Sequence, residues 1–206
     1  KDTALMVVDT HAGAGLYRLD GDYAQTSGEA IEGIKKLMAV KRINTSTNAK
    51  QQPAASSTDS SSTTISKKKT PSAGVEHAPL VQNYLSLVAT FNKTDSSRVY
   101  PGSPFIMAHL LRDHDKLKLF ELHPTDAKTL TDNIAQLNAG RKIAVHAQDG
   151  FENVKKFLPP PSRRALVFCD PSYEMKDDYA RVLAMVTDGL ARFATGTFAV
   201  WYPIIP

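Results

Sequence analysis

Ala165-Leu166-Val167-Phe168-Cys169-Asp170-Pro171-Ser172-Tyr173 is the stretch that decides how this chain reads. Five successive apolar residues stopped by a proline turn are too short for a helix and are predicted as a strand. Because the apolar run is continuous rather than alternating, both faces of that strand are expected to be covered, which is the habit of parallel sheets. The strand then delivers a carboxylate, a proline carbonyl and an aromatic ring at its carboxyl end. In open α/β sheets that is the edge where ligands bind.

Working outward, further short apolar runs occupy Ala4 to Asp9, Leu117 to Leu122, Lys142 to His146 and Thr197 to Trp201. Helix-period segments separate them at 27 to 42, 79 to 92, 103 to 113, 125 to 138, 151 to 157 and 177 to 192, with Ser103 and Thr125 expected as caps near two of the starts. Strands alternating with helices predict an α/β domain built on a mostly parallel sheet. A length of 206 residues with 42% apolar content suits one such core, spanning 1 to 206. No internal repeat is visible.

Residues 44 to 74 break the pattern. They hold 14 Ser or Thr and Ile65 as their sole large aliphatic residue, so a disordered low-complexity insertion is expected there. The same stretch carries Lys50, Lys67, Lys68 and Lys69 against Asp59, which is +3 of the chain's net +4. The rest of the domain is nearly neutral, and charge alone does not identify a nucleic-acid partner. No run approaches the roughly 18 to 20 apolar residues of a membrane span, and the opening Lys1-Asp2-Thr3 lacks the n-region and h-region of a signal peptide. The single cysteine, Cys169, forms no internal disulfide and reads as a buried strand residue rather than a nucleophile. A soluble protein of a reducing, cytoplasmic compartment is expected, without membrane association.

The residues just past each strand form an ordered polar series. After the first comes Asp9-Thr10-His11-Ala12-Gly13-Ala14-Gly15, whose glycines permit a tight turn or a close ligand approach, and equally an ordinary turn. No third glycine completes GxGxxG, which argues against a dinucleotide cofactor. His11 there can hydrogen-bond a ligand or cap the loop. Glu121 ends the second strand and suits two ribose hydroxyls, or is a solvated strand end. Asp149-Gly150 offers an acceptor for an adenine amino group, or a turn.

Asp170, Pro171 and Tyr173 match one substrate more closely. The carboxylate and the proline carbonyl can accept from the two hydrogens of an exocyclic amino group, while the aromatic ring stacks on an extruded base. His77, His109, His114, His123 and His146 show no metal-ligand spacing, and no cysteine pair, HExxH or Ser-His-Asp order is present. No metal is expected.

At these positions the chain resembles the bacterial 23S ribosomal RNA adenine-N6 methyltransferase family of the J type, within the amino methyltransferases that bear a DPPY motif. The matching segments are Asp9 to Gly15, Tyr100-Pro-Gly-Ser-Pro104, Glu121-Leu-His-Pro124, Asp149-Gly-Phe151, Ser162-Arg-Arg164, Tyr173-Glu-Met-Lys176, Arg192-Phe-Ala-Thr-Gly196 and Trp201-Tyr-Pro203. The resemblance implies a Rossmann-like fold and S-adenosyl-L-methionine as cofactor. It implies a cofactor pocket lined by His11, Ser103, Glu121, Asp149, Gly150 and Asp170, with Asp170 as the catalytic residue. It also implies methyl transfer to adenine N6 in large-subunit ribosomal RNA, and a monomer is expected.

Departures accompany the likeness. The family's N-terminal segment with its His-Ala-Gly-Asn motif and the later strands of its sheet have no counterpart here, so a core truncated at both ends is expected. Ser172 stands where the motif has its second proline. The competing readings are a DNA adenine or small-molecule amino methyltransferase, and a degenerate module that binds cofactor or RNA without turnover.

Overall fold

The computed structural model describes residues 2–19, 33–34, 36–38, 78–92 and 99–203. Most of the expected 27 to 42 helix and all of the Ser/Thr-rich stretch lie outside the described residues. The chain divides into two compact units, one of Lys1–Arg18 with Val99–Pro206 and one of Leu19–Arg98. The second unit contributes the helix α1, Pro79–Thr90, which has proline in its first turn and buries Leu85 and Val88.

The first unit carries the sheet. Its strands are β1 (Met6–Asp9), β4 (Lys116–Phe120), β5 (Ile143–His146), β6 (Ala165–Cys169) and β7 (Thr197–Val200), in the order β5-β4-β1-β6-β7. Every pairing among them is parallel, with Val7 of β1 opposite Leu117 on one side and Leu166 on the other. Helices α2 (Ser103–Leu110), α3 (Pro124–Ala135), α4 (Gly150–Asn153) and α5 (Asp178–Arg192) fill the connections. Each predicted strand is present with its ends shifted by one or two residues, β4 starting one residue early at Lys116. The predicted 151 to 157 helix resolves into the single α turn of α4 followed by a 3-10 turn at Val154–Phe157.

The central strand explains the layering. All four residues of β1 are buried, and successive side chains of a strand point to opposite faces. Met6 and Val8 join Phe120, Phe151, Val167, Cys169, Met185 and Phe193 in one core. Val7 faces the other way with its neighbours Leu117 and Leu119, and Phe105, Leu130 and Ile134 of α2 and α3 are buried as well. A fully buried strand needs an apolar run, and Met-Val-Val supplies it. Cys169 has no exposed surface, and burial pushes its thiol up to about 11, as a packed strand residue requires.

Two features differ from expectation. A small antiparallel ribbon pairs β2 (Leu16–Arg18) with β3 (Val99–Pro101), with Tyr17 opposite Tyr100. Three residues on each side, some eighty positions apart, leave no periodic trace in a sequence. The caps also differ: Gly102 and His123 occupy the N-cap positions of α2 and α3, and neither helix has a side-chain cap. Ser103 and Thr125 lie inside their helices, because the prolines at 104 and 124 place the helix starts one or two residues earlier.

At the amino ends of β1 and β4 the buried Asp115 ties the sheet together. Its carboxylate accepts from Leu5 N at 2.8 Å and from Arg112 N, Nε and Nη2 at 3.0, 2.9 and 2.7 Å. These partners hold its pKa well below the ordinary carboxylate range, the Arg112 side chain contributing most. A depressed pKa stabilises the fold above the ordinary value near ~4 and is lost as pH falls. Asp115→Asn is therefore expected to cost about 2 to 3 kcal/mol in urea unfolding at pH 7 and to flatten the loss of stability below about pH 4.

Candidate active site

The strand order reverses direction between β1 and β6, and a crevice opens at the carboxyl ends where a topological switch places one. A cavity of about 150 Å³ lies there. Its walls come from four strand ends: Thr10 and His11 after β1, Glu121 and Leu122 after β4, Asp149 to Phe151 after β5, and Pro171 and Ser172 after β6. Asp178 and Arg181 from the first turn of α5 complete it. Of the residues expected to bind a cofactor, His11, Glu121, Asp149 and Gly150 are brought together. Ser103, Asp170 and Tyr173 lie outside this wall.

The glycine loop is set by carboxylates. Gly13 and Gly15 both adopt positive φ, 58° and 81°, where a side chain would be strained. Glu121 Oε2 accepts from Gly13 N at 2.8 Å, and Oε1 accepts from His123 N at 2.7 Å. Each oxygen keeps lone pairs beyond those bonds, so the side chain is both fixed and able to accept from a ligand. Asp9 has no exposed surface; its Oδ1 accepts from His11 N at 3.2 Å and its Oδ2 from Ser103 Oγ at 2.7 Å. Ser103 thus spends its hydroxyl on Asp9. Burial pushes the Asp9 carboxyl up to about 6, opposed by these hydrogen bonds and assisted by the Asp170 and Glu121 charges.

His11 is held by its neighbours. Thr10 Oγ1 donates to Phe168 O at 3.2 Å and lies 2.8 Å from His11 Nδ1. Burial, despite the nearby Asp149 and Asp178, lowers the ring's pKa to about 4, so it is neutral at pH 7. The ring meets Phe151 edge to face, with centroids 4.5 Å apart.

Asp149 caps α4, its Oδ1 accepting from Glu152 N at 3.3 Å, while Oδ2 accepts from Arg181 Nη2. The glycine that follows has a steric reason: a Cβ on Gly150 would lie 2.2 Å from Thr10 O and 2.7 Å from Thr10 Cα. Only glycine lets α4 pack on the loop after β1. Asp178, Arg181 and Phe151 were not among the sequence-derived site residues. Their signal was an ordinary helix start, and only packing turns that start toward the cavity.

The tetrapeptide after β6 is arranged unevenly. Pro171 is buried and reaches the cavity, Asp170 and Ser172 are exposed, and desolvation raises the Asp170 pKa above its ordinary value. Tyr173 adopts φ 56°, a left-handed conformation costing a bulky side chain on the order of 1 to 3 kcal/mol. Its ring packs on Tyr179 at 4.5 Å between centroids, and its hydroxyl donates to Trp201 O at 2.7 Å. Strain held by two such contacts is a mark of functional loops.

The edge as a whole is acidic. Asp9, Glu121, Asp149, Asp170 and Asp178 gather there, with Arg181 as the cation lining the cavity. Among the described residues no group of three His, Cys, Asp or Glu could hold a metal ion. Nor is any described helix long and apolar enough to cross a membrane. Such an edge attracts a cation, and its fixed acceptors suit hydroxyl and amino donors.

Comparisons with known proteins show the family. The chain is 36% identical over 205 residues to the Ribosomal RNA large subunit methyltransferase J of Escherichia coli (strain K12), and 34% identical over 206 residues to that of Haemophilus influenzae (strain ATCC 51907 / DSM 11121 / KW20 / Rd). Each alignment takes in 100% of this chain and 60% of the relative, so the chain spans about three fifths of their length. The crystal structure of protein LPL1258 from Legionella pneumophila str. Philadelphia 1 superposes with a TM-score of 0.75 at 28% identity, covering 100% of this chain and 62% of that one. A parallel five-stranded sheet shared with such a structure is the α/β architecture of a methyltransferase-like fold. Residues 2–50 and 73–206, everything but a part of the Ser/Thr-rich stretch, match the family described as Ribosomal RNA large subunit methyltransferase D, RlmJ, and with the glycine loop, the acidic strand ends and the Asp170-Pro171 turn in place the chain belongs to that family.

Proposed function

We propose that this chain is the catalytic core of an enzyme that methylates the N6 amino group of an adenine in large-subunit, 23S-type ribosomal RNA, with S-adenosyl-L-methionine as donor. One observation carries the reading. A chain of this family has Asp170 and Pro171 at the end of β6, beside a cavity whose other strand ends offer fixed acceptors.

The residues present fit the donor molecule. Glu121 has free lone pairs for two ribose hydroxyls, and Asp149 has one carboxylate for an adenine amino group. The acidic edge favours a sulfonium and an ammonium, and His11, neutral at pH 7, adds no opposing charge. When bound, S-adenosylmethionine supplies a methyl group on a positively charged sulfur.

The chain's own groups then act on the base. The Asp170 carboxylate and the Pro171 carbonyl accept from the two amino hydrogens, which draws the nitrogen lone pair out of conjugation and toward the methyl group. With the methyl donor bound, methylation of that nitrogen would release one amino proton. A carboxylate whose proton affinity is raised by desolvation is suited to receive that proton and pass it to solvent. Tyr173 stacks on the extruded base, and its ring needs little ordering because Tyr179 and the Trp201 carbonyl already hold it.

A second reading, a module that binds cofactor or RNA without turnover, is favoured by Ser172 alone. A proline there would hold Pro171 extended and remove an N–H, and serine does neither. Calorimetric titration with S-adenosylmethionine, followed by methyl transfer to unmodified 23S-type ribosomal RNA, separates the two; binding without transfer supports the second.

The Asp170→Ala variant should lose at least about 100-fold in transfer rate. Its urea unfolding should stay within about 0.5 kcal/mol of the parent, because the residue is exposed. Normal turnover by that variant would overturn the assigned role. Ser172→Pro is expected to raise turnover several-fold with little change in cofactor affinity, read from single-turnover rates; an unchanged or lower rate would remove preorganisation of Pro171 from the mechanism.

A further inference from the structure

Among the described residues lining the cavity, Arg181 carries the only permanent positive charge. It stands in the first turn of α5 and is held on three sides. Nη2 donates to Asp149 Oδ2, the guanidinium lies 4.4 Å over the ring of Phe151, and Nη1 is 4.0 Å from Asp178 Oδ1. Phe151 is in turn met edge to face by His11, giving a layered wall of guanidinium, phenyl and imidazole along one side of the site.

An arginine side chain loses considerable rotamer freedom when fixed this way, and an exposed ion pair returns little for it. Here the ion pair is partly buried, 36% exposed on the arginine and 23% on the aspartate, and a π face adds to it. The consequence falls on Asp149. One of its oxygens is fixed by the Glu152 amide and the other by the guanidinium, so the carboxylate plane cannot rotate and both oxygens stay acceptors.

We infer that Arg181 is a positioning residue that makes the cavity selective for a purine bearing an exocyclic amino group over one bearing a carbonyl at the same place, by clamping Asp149 and by being clamped itself. The inference rests on the cofactor reading above. A fixed carboxylate accepts from an amino group and repels a carbonyl oxygen. The guanidinium is the nearby donor that could satisfy a carbonyl, and its bonds to Asp149 and its seat on Phe151 keep it from swinging to do so. Removing Arg181 frees the carboxylate to turn, so that it no longer presents a fixed acceptor to the amino group.

The test compares binding of S-adenosylhomocysteine with S-inosylhomocysteine by calorimetry, which reads affinity without turnover. The parent chain is expected to prefer the adenine ligand by about 30-fold. Arg181→Ala should weaken S-adenosylhomocysteine about 10-fold and leave S-inosylhomocysteine nearly unchanged, so that the preference falls to about 3-fold. A merely structural role would weaken both ligands alike and keep the ratio. Arg181→Lys retains a charge for folding but lacks the planar fork, and its ratio should fall between the two; this variant carries the test if the alanine chain does not fold in a thermal melt. A parent-like ratio in either folded variant, or no preference in the parent, overturns the inference and leaves the cofactor reading intact. Failure of the parent to bind either ligand overturns both.

Discussion

The carboxylate of Asp9, with no exposed surface at the end of the central strand, is the constraint on which the site depends. Burying a carboxylate costs several kcal/mol unless hydrogen bonds replace its water. Two do, and each fixes a different part of the site: the amide of His11 turns the chain into the glycine loop, and the hydroxyl of Ser103 ties down the start of α2. Glu121 continues the arrangement by bridging Gly13 and His123, so that the loops after β1 and β4 are held by one side chain. The surfaces facing the cavity are thereby backbone and carboxylate in fixed positions.

Placing so many acidic groups on one edge has an electrostatic cost of its own. Coulomb repulsion contributes to the raised pKa of Asp9, with Asp170 and Glu121 both acting on it. The cost is moderated locally, since Arg181 stands between Asp149 and Asp178 and backbone amides take up part of the charge on Glu121 and Asp149. What is left over is a negative potential suited to a positively charged ligand.

A comparable trade is visible at Tyr173. Its left-handed backbone is unfavourable in isolation, and the contacts to Tyr179 and to the Trp201 carbonyl hold it there. Those contacts join the ends of β6 and β7 with the start of α5. Tyr173, Tyr179 and Trp201 therefore act as one structural unit beside the Asp170-Pro171 turn, and the ring orientation depends on three separate elements being in register.

Much of the fold was legible in the sequence because it rests on local pattern. The continuous apolar runs of β1 and β6 and the helical periods between them depend only on neighbours in the chain, and so does the appearance of polar residues just past each strand. Parallel pairing then forces those strand ends to one edge, which is why His11, Glu121, Asp149, Gly150 and Pro171 meet as expected. The tertiary structure alone decided what has no local period. The β2–β3 ribbon pairs residues far apart in sequence, and Ser103 turns its hydroxyl to Asp9 rather than capping its helix. Likewise Asp178 and Arg181 enter the site through the way α5 packs. Sequence determined which residues stand at strand ends, because alternation and burial are properties of a segment. Which side chain faces which was decided by distances across the fold, where hydrogen bonds and charge act between segments that the chain order keeps apart.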